Sequence, residues 1–312
     1  MSPVLSSKYL PDLIEIIRRA GDEILKVYSR LESDWEVGLK EDQTPITEAD
    51  RISNRIITEG LRQLFPDIPI ISEENKQIPY EIRRQYEYFW LVDPLDGTKE
   101  FIKRNGEFTI NLALINRTQP IAGFISVPCK GLIYYALKGE GAYRIYEKNI
   151  AEGKVDGPMG ESPGKSSSVS EDADAVKTEE RITVSRLQVA EFSPDEPGLT
   201  VVASRSHFDS ETKRFIEQLN NPRLISVGSS LKFMLLAEGQ AHLYPRLSRT
   251  MEWDTAAGQA ILEEAGGQVL EFSTRRPLTY NKESLVNPPF LAAGKILNHE
   301  KKSDKSSSYI DD

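Results

Sequence analysis

The residues with the clearest chemical potential are two aspartates, Asp93 and Asp96, which directly follow an apolar run. Between them Pro94 fixes its own φ angle, and after them Gly97 permits a tight bend of the backbone. Two carboxylates on one turn at the end of a strand can share a divalent cation that prefers oxygen ligands. The alternative is an ordinary turn with two hydrated acids. It is less favoured, because each residue type in this run has a specific role in such a site. The segment therefore predicts a metal site.

The residue that follows, Thr98, favours the start of a helix. The first N–H groups of a helix have no partners within it, so they attract anions such as phosphate. We therefore expect Gly97 and Thr98 to contact a phosphate group beside the metal.

Three more acids lie at the ends of predicted elements. Glu73 follows a short apolar strand, Asp50 lies in the first turn of a predicted helix, and Asp254 lies at the start of another. Each of them alone is as easily a helix cap or an exposed acid. Together with the aspartate pair they are the groups expected of a multi-metal centre for phosphoryl transfer.

Apolar spacing predicts the elements that must hold these acids in place. One face of a long first helix is predicted from Leu10, Leu13, Ile14, Ile17, Ile24, Leu25, Tyr28 and Leu31. A second helix is predicted over 47–64, capped by Thr47 and Asp50, with an inner face of Ile52, Ile56, Ile57 and Leu61. Strands are predicted over 70–72, 89–92, 109–115, 121–127 and 132–137. Beyond residue 180, strands at 181–184 and 199–203 alternate with helices at 210–219, 230–238 and 254–265.

These elements predict two domains separated by a polar segment. Residues 1–146 are expected to form an α+β domain with most of the metal ligands, and 181–298 an α/β domain with the substrate-binding segments. Residues 147–180 contain few apolar side chains and are expected to be a disordered insertion. Residues 299–312 are expected to be a flexible tail.

The composition limits the classes of function. The 312 residues include 48 acidic and 39 basic side chains, a net charge of −9, which argues against binding of a nucleic-acid polymer. Cys129 is the single cysteine, so no disulfide can form within the chain. The chain shows no secretory signal and no apolar run long enough to span a bilayer. These features favour a cytoplasmic protein.

The motifs DPLDGT at 93–98 and WDTAA at 253–257, in this order, resemble those of the inositol monophosphatase superfamily, whose members are lithium-sensitive, magnesium-dependent phosphatases. The resemblance covers nearly all of the chain except 147–180 and the tail. It implies a layered αβαβα sandwich, of the α+β / α/β class, with two or three Mg²⁺ ions in each active site. Two such ions can stabilise both the attacking and the leaving oxygen of an in-line displacement.

The resemblance also implies which residues hold the ions. Glu73, Asp93 and the carbonyl of Leu95 would bind the first Mg²⁺, and Asp93, Asp96 and Asp254 would bind the second. A third and weaker ion would lie near Glu73, mostly on water molecules.

For catalysis, the resemblance implies direct attack by an activated water molecule. Thr98, hydrogen-bonded to Asp50, would orient this water with help from Glu73. No nucleophilic serine or cysteine is needed in such a mechanism, and the sequence has no nucleophile motif of that kind.

Three segments of the second half carry the candidate substrate-binding residues. The candidate residues are Arg205, His207, Ser230, Lys232 and Arg246. Any one of them is as easily a helix cap or a surface residue. The four cationic or ionisable side chains among them exceed what one metal-bound phosphate requires, so they favour a small substrate with a second anionic group.

These segments resemble the 3′(2′),5′-bisphosphate nucleotidase branch of the superfamily, which converts adenosine 3′,5′-bisphosphate to AMP and phosphate in sulfur metabolism. Inositol-specific relatives have a carboxylate near the position of Arg246, where a cation disfavours an uncharged ring. Two alternatives stay open, namely a phosphatase of inositol or sugar phosphates, and a metal-binding scaffold without activity.

Overall fold

The computed structural model describes residues 5–31, 35, 37–39, 45–147, 182–206 and 208–297. The helices in this part of the chain are α1 (Leu10–Tyr28), α2 (Glu48–Leu64), α3 (Tyr80–Arg83), α4 (Thr98–Ile102), α5 (Ser210–Glu217), α6 (Leu231–Ala237) and α7 (Glu252–Glu264). The strands of the first half are β1 (Val37–Leu39), β2 (Pro45–Thr47), β3 (Ile70–Ser72), β4 (Tyr88–Asp96), β5 (Thr109–Asn116), β6 (Gln119–Val127), β7 (Leu132–Leu137) and β8 (Gly141–Glu147). The strands that follow are β9 (Ile182–Arg186), β10 (Glu191–Phe192), β11 (Thr200–Ser204), β12 (Arg223–Val227), β13 (Leu243–Arg246), β14 (Gln268–Glu271), β15 (Phe290–Ala293) and β16 (Lys295–Ile296).

Strands β3 to β9 form a seven-stranded sheet in sequence order, antiparallel except for the parallel pair β3–β4. Strand β4, which lies between β3 and β5, is apolar over 89–92 because helices cover both faces of the sheet. Trp90 and Val92 pack with α1 and α2, whereas Phe89 and Leu91 lie in the cluster that contains α7. The sheet thus brings the end of β4 between two helical layers.

A five-stranded sheet in the order β12–β11–β13–β15–β14 forms the second β layer. One face packs with α6 and α7 through Val202 and Tyr244, and the other packs with α5 through Phe215. The layers are therefore α1 and α2, the first sheet, α6 and α7, the second sheet, and α5. The predicted αβαβα sandwich is confirmed.

Helix α7 lies unusually close to the first sheet. A side chain at Gly123 of β6 would place its Cβ 2.5 Å from the Ala257 carbonyl oxygen and 2.9 Å from the Ala260 Cβ. On the α6 side, a Cβ at Gly258 would lie 2.5 Å from the ring of Phe233. Small residues on α7 therefore fix this helix directly against its neighbours.

The predicted helices and strands correspond closely to the observed ones, but one expectation fails and one long strand was missed. Leu31, predicted as part of the first helical face, lies beyond the end of α1 and its side chain is 72% exposed. The apolar spacing continues past the helix, so periodicity alone misplaced the end. Strand β8, over Gly141–Glu147, was not predicted from the sequence.

The first sheet also crosses the predicted domain limit at residue 180. Strand β9 pairs with β8 in an antiparallel register, with Tyr146 opposite Thr183. The division into domains therefore stays a prediction. Residues 148–181, nearly all of the predicted insertion, and the tail 299–312 lie outside the described residues. Within the described part, no helix combines the length and the apolar character required to cross a membrane.

Candidate active site

The aspartate pair lies on a β-bulge at the end of β4. Asp93 is opposite Asn111 of β5, and Asp96 is opposite Thr109. Between these pairs, two residues of β4, at 94–95, face the single residue 110 of β5. Such a bulge bends the strand and redirects the side chains that follow it. Gly97 then adopts a φ of +93°, which is unfavourable for other residues, and α4 starts at Thr98. The predicted strand, bend and helix start are all present.

Three carboxylates meet at this point. Each of Glu73, Asp93 and Asp254 offers one oxygen atom, and these atoms lie within 4.8 Å of one another. Glu73 is placed beside β4 by its N–H, which donates to the Val92 carbonyl at 3.1 Å. Asp254 is placed by the start of α7, where its Oδ2 accepts the Met251 N–H at 2.8 Å. Glu73 and Asp254, which are 181 positions apart in sequence, thus belong to one cluster.

The electrostatics of the cluster favour a bound cation. Burial raises the pKa of Asp254 well above its ordinary value, and the neighbouring charges of Asp96 and Glu73 raise it further. Like charges this close repel when all are ionised, and a divalent cation would remove the repulsion. The donor set consists of carboxylate oxygens, the ligands that Mg²⁺ prefers. The residues present therefore fit a magnesium site.

Asp96, the other predicted ligand, is held by hydrogen bonds to its Oδ2. The Oγ of Ser230 lies 2.9 Å away, the Nδ2 of Asn111 lies 3.3 Å away and the Oγ1 of Thr109 lies 3.4 Å away. Asp96 is not among the three clustered carboxylates, but its charge is felt by Asp254. Its role as a metal ligand stays a prediction, as does that of the Leu95 carbonyl.

The hydrogen bond expected between Thr98 and Asp50 is present. The Thr98 Oγ1 lies 3.1 Å from the Asp50 Oδ1. The other oxygen of Asp50 accepts the N–H and the hydroxyl of Thr47 at 2.7 and 2.5 Å, forming the predicted capping box of α2. Asp50 is 1% exposed. Because its carboxylate is fixed by two elements, it can hold the Thr98 hydroxyl in one orientation.

Two cationic side chains, Lys232 of α6 and Arg246 of β13, are buried near these acids, with exposures of 5% and 8%. Burial lowers the pKa of Lys232 to about 8, although the nearby Asp96 opposes this change. The Lys232 ammonium donates to the Ser229 carbonyl, and the Arg246 Nη2 donates to the Arg249 carbonyl at 3.2 Å. Both side chains are among the predicted substrate-binding residues.

Several buried donors at this place have no partner among the described residues. They are the Nε and Nη1 of Arg246 and the hydroxyl of Ser229. Buried polar groups are nearly always hydrogen-bonded, so such atoms require an explanation. Ser229 was not singled out in the sequence, although its φ of +46°, rare for a serine, marks a constrained turn.

Arg205 is engaged elsewhere. Its Nε and Nη2 donate to the two carboxylate oxygens of Glu107 at 2.9 and 2.8 Å, and Nη2 also donates to the Ser226 carbonyl. Glu107 in turn accepts the Gly228 N–H at 2.8 Å. Arg205 therefore ties two loops together, and its predicted contact with substrate would compete with Glu107. His207 lies outside the described residues.

A buried ion pair, which the sequence did not indicate, supports the start of α7. Glu252 is fully buried, and it accepts the N–H groups of Asn281 and Lys282 at 2.6 and 3.0 Å and the Lys282 ammonium at 2.7 Å. Arg83 extends this network through a bond from its Nη1 to the Asn281 Oδ1 at 2.9 Å. Its central residue, Glu252, precedes Asp254 by two positions.

We expect Glu252→Ala to lower the free energy of unfolding by about 3–5 kcal/mol, because it removes the buried carboxylate that pairs with the Lys282 ammonium and accepts two backbone N–H groups. Urea denaturation measures this change. The matched control is Glu191→Ala, which removes an exposed pair with Lys295 and should cost less than about 1 kcal/mol. Equal effects of the two substitutions would contradict the proposed importance of burial.

The chain is similar to several known proteins. A profile of the inositol monophosphatase family matches residues 7–305. The 3′(2′),5′-bisphosphate nucleotidase CysQ of Salmonella typhimurium is 40% identical over 281 residues, which cover 90% of this chain and 98% of that protein. The crystal structure of CysQ from Bacteroides thetaiotaomicron has a TM-score of 0.70 and 39% identity, covering 91% of this chain and 96% of that one. An IMPase of Thermotoga maritima shares the fold, with a TM-score of 0.65 and 23% identity over 92% of each chain.

Proposed function

Because the chain belongs to the inositol monophosphatase family, we propose that it is a magnesium-dependent phosphomonoesterase that converts adenosine 3′,5′-bisphosphate to AMP and phosphate. The observation that carries this choice of substrate is the pair of buried cations, since Arg246 retains two unpartnered N–H donors next to the acidic cluster. The relatives named as 3′(2′),5′-bisphosphate nucleotidases support the same choice.

The carboxylates define where the reaction takes place. Glu73, Asp93 and Asp254 would hold Mg²⁺, with Asp96 and the Leu95 carbonyl as further ligands. When bound, Mg²⁺ stabilises the negative charge that develops during phosphoryl transfer and makes water easier to ionise. We assign the attack to water, because the hydroxyls of Thr98 and Ser230 are engaged by the carboxylates of Asp50 and Asp96.

Thr98 and Asp50 would orient that water. The Thr98 hydroxyl carries one proton, and the fixed Asp50 carboxylate accepts it at 3.1 Å. The lone pairs of the Thr98 oxygen are then available to accept a hydrogen bond from water. Asp50 acts here as a positioning residue, because it determines where those lone pairs point.

Lys232, Arg246 and Ser229 would bind the phosphate that is not cleaved. A hydrogen bond between a charged donor and a phosphate contributes about 1.5–3 kcal/mol. An inositol ring has no second anion to use these donors, and they would stay desolvated without a partner. The buried cations therefore favour a bisphosphate over an inositol monophosphate.

The test is release of inorganic phosphate from a small panel of esters. We expect kcat/KM for adenosine 3′,5′-bisphosphate to exceed that for inositol 1-phosphate by at least about a hundredfold, equivalent to roughly 2.7 kcal/mol. Comparable values for the two substrates would favour the inositol phosphatase, and no release from any ester would favour a metal-binding scaffold.

The Lys232→Ala variant separates the two phosphates of the substrate. We expect it to raise KM for adenosine 3′,5′-bisphosphate by about tenfold or more, the loss of one charge-assisted contact. With 3′-AMP, which has no 5′-phosphate, the same variant should retain the wild-type KM within about twofold. A similar loss with both substrates would place Lys232 at the scissile phosphate instead.

A further inference from the structure

The Ser230 hydroxyl lies where the acidic cluster meets the helix that carries Lys232. It is 2.9 Å from the Asp96 Oδ2, 2.9 Å from the Asn111 Nδ2 and 3.1 Å from the Asp254 carbonyl oxygen. Ser230 and Asn111 are 2% and 1% exposed. Strands β4 and β5, helix α6 and helix α7 therefore meet at one buried oxygen atom.

The hydrogen-bonding capacity of this hydroxyl determines what it can do. A serine hydroxyl has one proton to donate, and Asn111 can only donate to it through its Nδ2. The proton of Ser230 is therefore directed to the Asp96 carboxylate or to the Asp254 carbonyl, both of which are acceptors. An ionised phosphate also offers only acceptors. It could therefore bind this hydroxyl only if Ser230 donated its proton to the phosphate and no longer to the Asp96 carboxylate or the Asp254 carbonyl.

We propose that Ser230 does not contact the substrate but positions the Asp96 carboxylate for Mg²⁺, and that it couples the metal site to the anion site on α6. The neighbouring Ser229, whose hydroxyl is buried without a partner, is the serine available to an anion. The coupling to the anion rests on the proposed function, whereas the positioning of Asp96 does not.

The coupling follows from the position of Ser230 at the N-cap of α6. Its carbonyl accepts the N–H of Phe233 at 3.0 Å in the first turn of the helix, and Lys232 lies in the same turn. An anion that binds Lys232 and Arg246 fixes this turn, and with it the Ser230 hydroxyl that holds Asp96. By thermodynamic linkage, Mg²⁺ and the anion must then strengthen each other's binding by the same factor.

The first experiment measures Mg²⁺ binding without nucleotide, as the concentration that gives half of the maximal rise in Tm. We expect Ser230→Ala to raise this concentration by about tenfold, and Asn111→Ala to do so by a similar factor, because both release Asp96. Ser230→Thr, which retains the hydroxyl, should restore most of the affinity. Ser126→Ala, which removes a buried hydroxyl of β6 outside the acidic cluster, is the matched control and should leave the concentration unchanged. Unchanged Mg²⁺ binding in both Ser230→Ala and Asn111→Ala would overturn the positioning role.

The second experiment repeats the titration with saturating AMP, which carries the 5′-phosphate. In the wild type we expect AMP to lower the half-maximal Mg²⁺ concentration by at least about fivefold, and in Ser230→Ala by less than about twofold. An equal effect of AMP in both proteins would overturn the coupling. If AMP does not bind the wild type, the proposed substrate is wrong, while the first experiment still decides the role of Ser230.

Discussion

Asp93→Asn should lower kcat by about a thousandfold or more at saturating Mg²⁺, a loss of roughly 4 kcal/mol of transition-state stabilisation. Asparagine has the size of aspartate but lacks the negative charge, so it weakens the binding of every metal ion that this residue is proposed to hold. Its amide oxygen can still accept the Leu95 N–H, which lies 3.1 Å from the Asp93 Oδ1, so the turn should survive. The measurements are steady-state kinetics and a Mg²⁺ titration of activity.

The matched control for this variant is Asp67→Asn, which neutralises an exposed acid after α2 and should leave kcat unchanged. Chelation of the wild-type enzyme with EDTA should abolish activity, and added Mg²⁺ should restore it. Normal turnover of Asp93→Asn, or of the chelated enzyme, would rule out the carboxylate cluster as the metal centre.

Thr98→Ala should lower kcat by about a hundredfold to a thousandfold while KM changes by less than about threefold. The hydroxyl is proposed to orient the attacking water, and orientation affects the transition state rather than substrate binding. The variant should fold, because Asp50 keeps its two hydrogen bonds from Thr47. Single-turnover kinetics with adenosine 3′,5′-bisphosphate measure the effect on the chemical step.

Thr98→Ser provides the comparison for this prediction, since it retains the hydroxyl and removes only a methyl group. It should keep kcat within about tenfold of the wild type, well above Thr98→Ala. If Thr98→Ala raises KM and leaves kcat intact, Thr98 binds the substrate phosphate and the proposed role in orienting water is wrong.

Much of the site could be predicted because its local sequence encodes its local structure. The apolar run of β4, the bend at the left-handed Gly97 and the start of α4 at Thr98 are close together in sequence, and each residue type has a conformational reason. The capping box of Thr47 and Asp50 is equally local. Such features depend on backbone preferences and short spacing, which are readable without knowledge of tertiary contacts.

The features that could not be predicted depend on contacts between distant segments. Arg205 was expected to bind an anion of the substrate, but its partner Glu107 lies 98 positions away. The fully buried Glu252 was not singled out in the sequence, because its partner Lys282 is 30 positions away. Ser229 and Ser230 are adjacent in sequence and identical in type, yet only the structure distinguishes the one without a partner. The charge and the type of a residue do not specify which atoms it contacts in the folded chain.

The close seating of α7 against Gly123 and Phe233 has a consequence for how such an enzyme can diversify. A helix held by backbone contacts on one side and an aromatic ring on the other cannot shift to suit a new ligand, so Asp254 keeps its place whatever ester is bound. The loops that carry Arg205 and Ser229 are joined through one side chain, Glu107, which accepts the Arg205 guanidinium and the Gly228 N–H. Lineages with this architecture can therefore exchange one substrate for another by altering loops, while the hydrolytic chemistry is inherited unchanged.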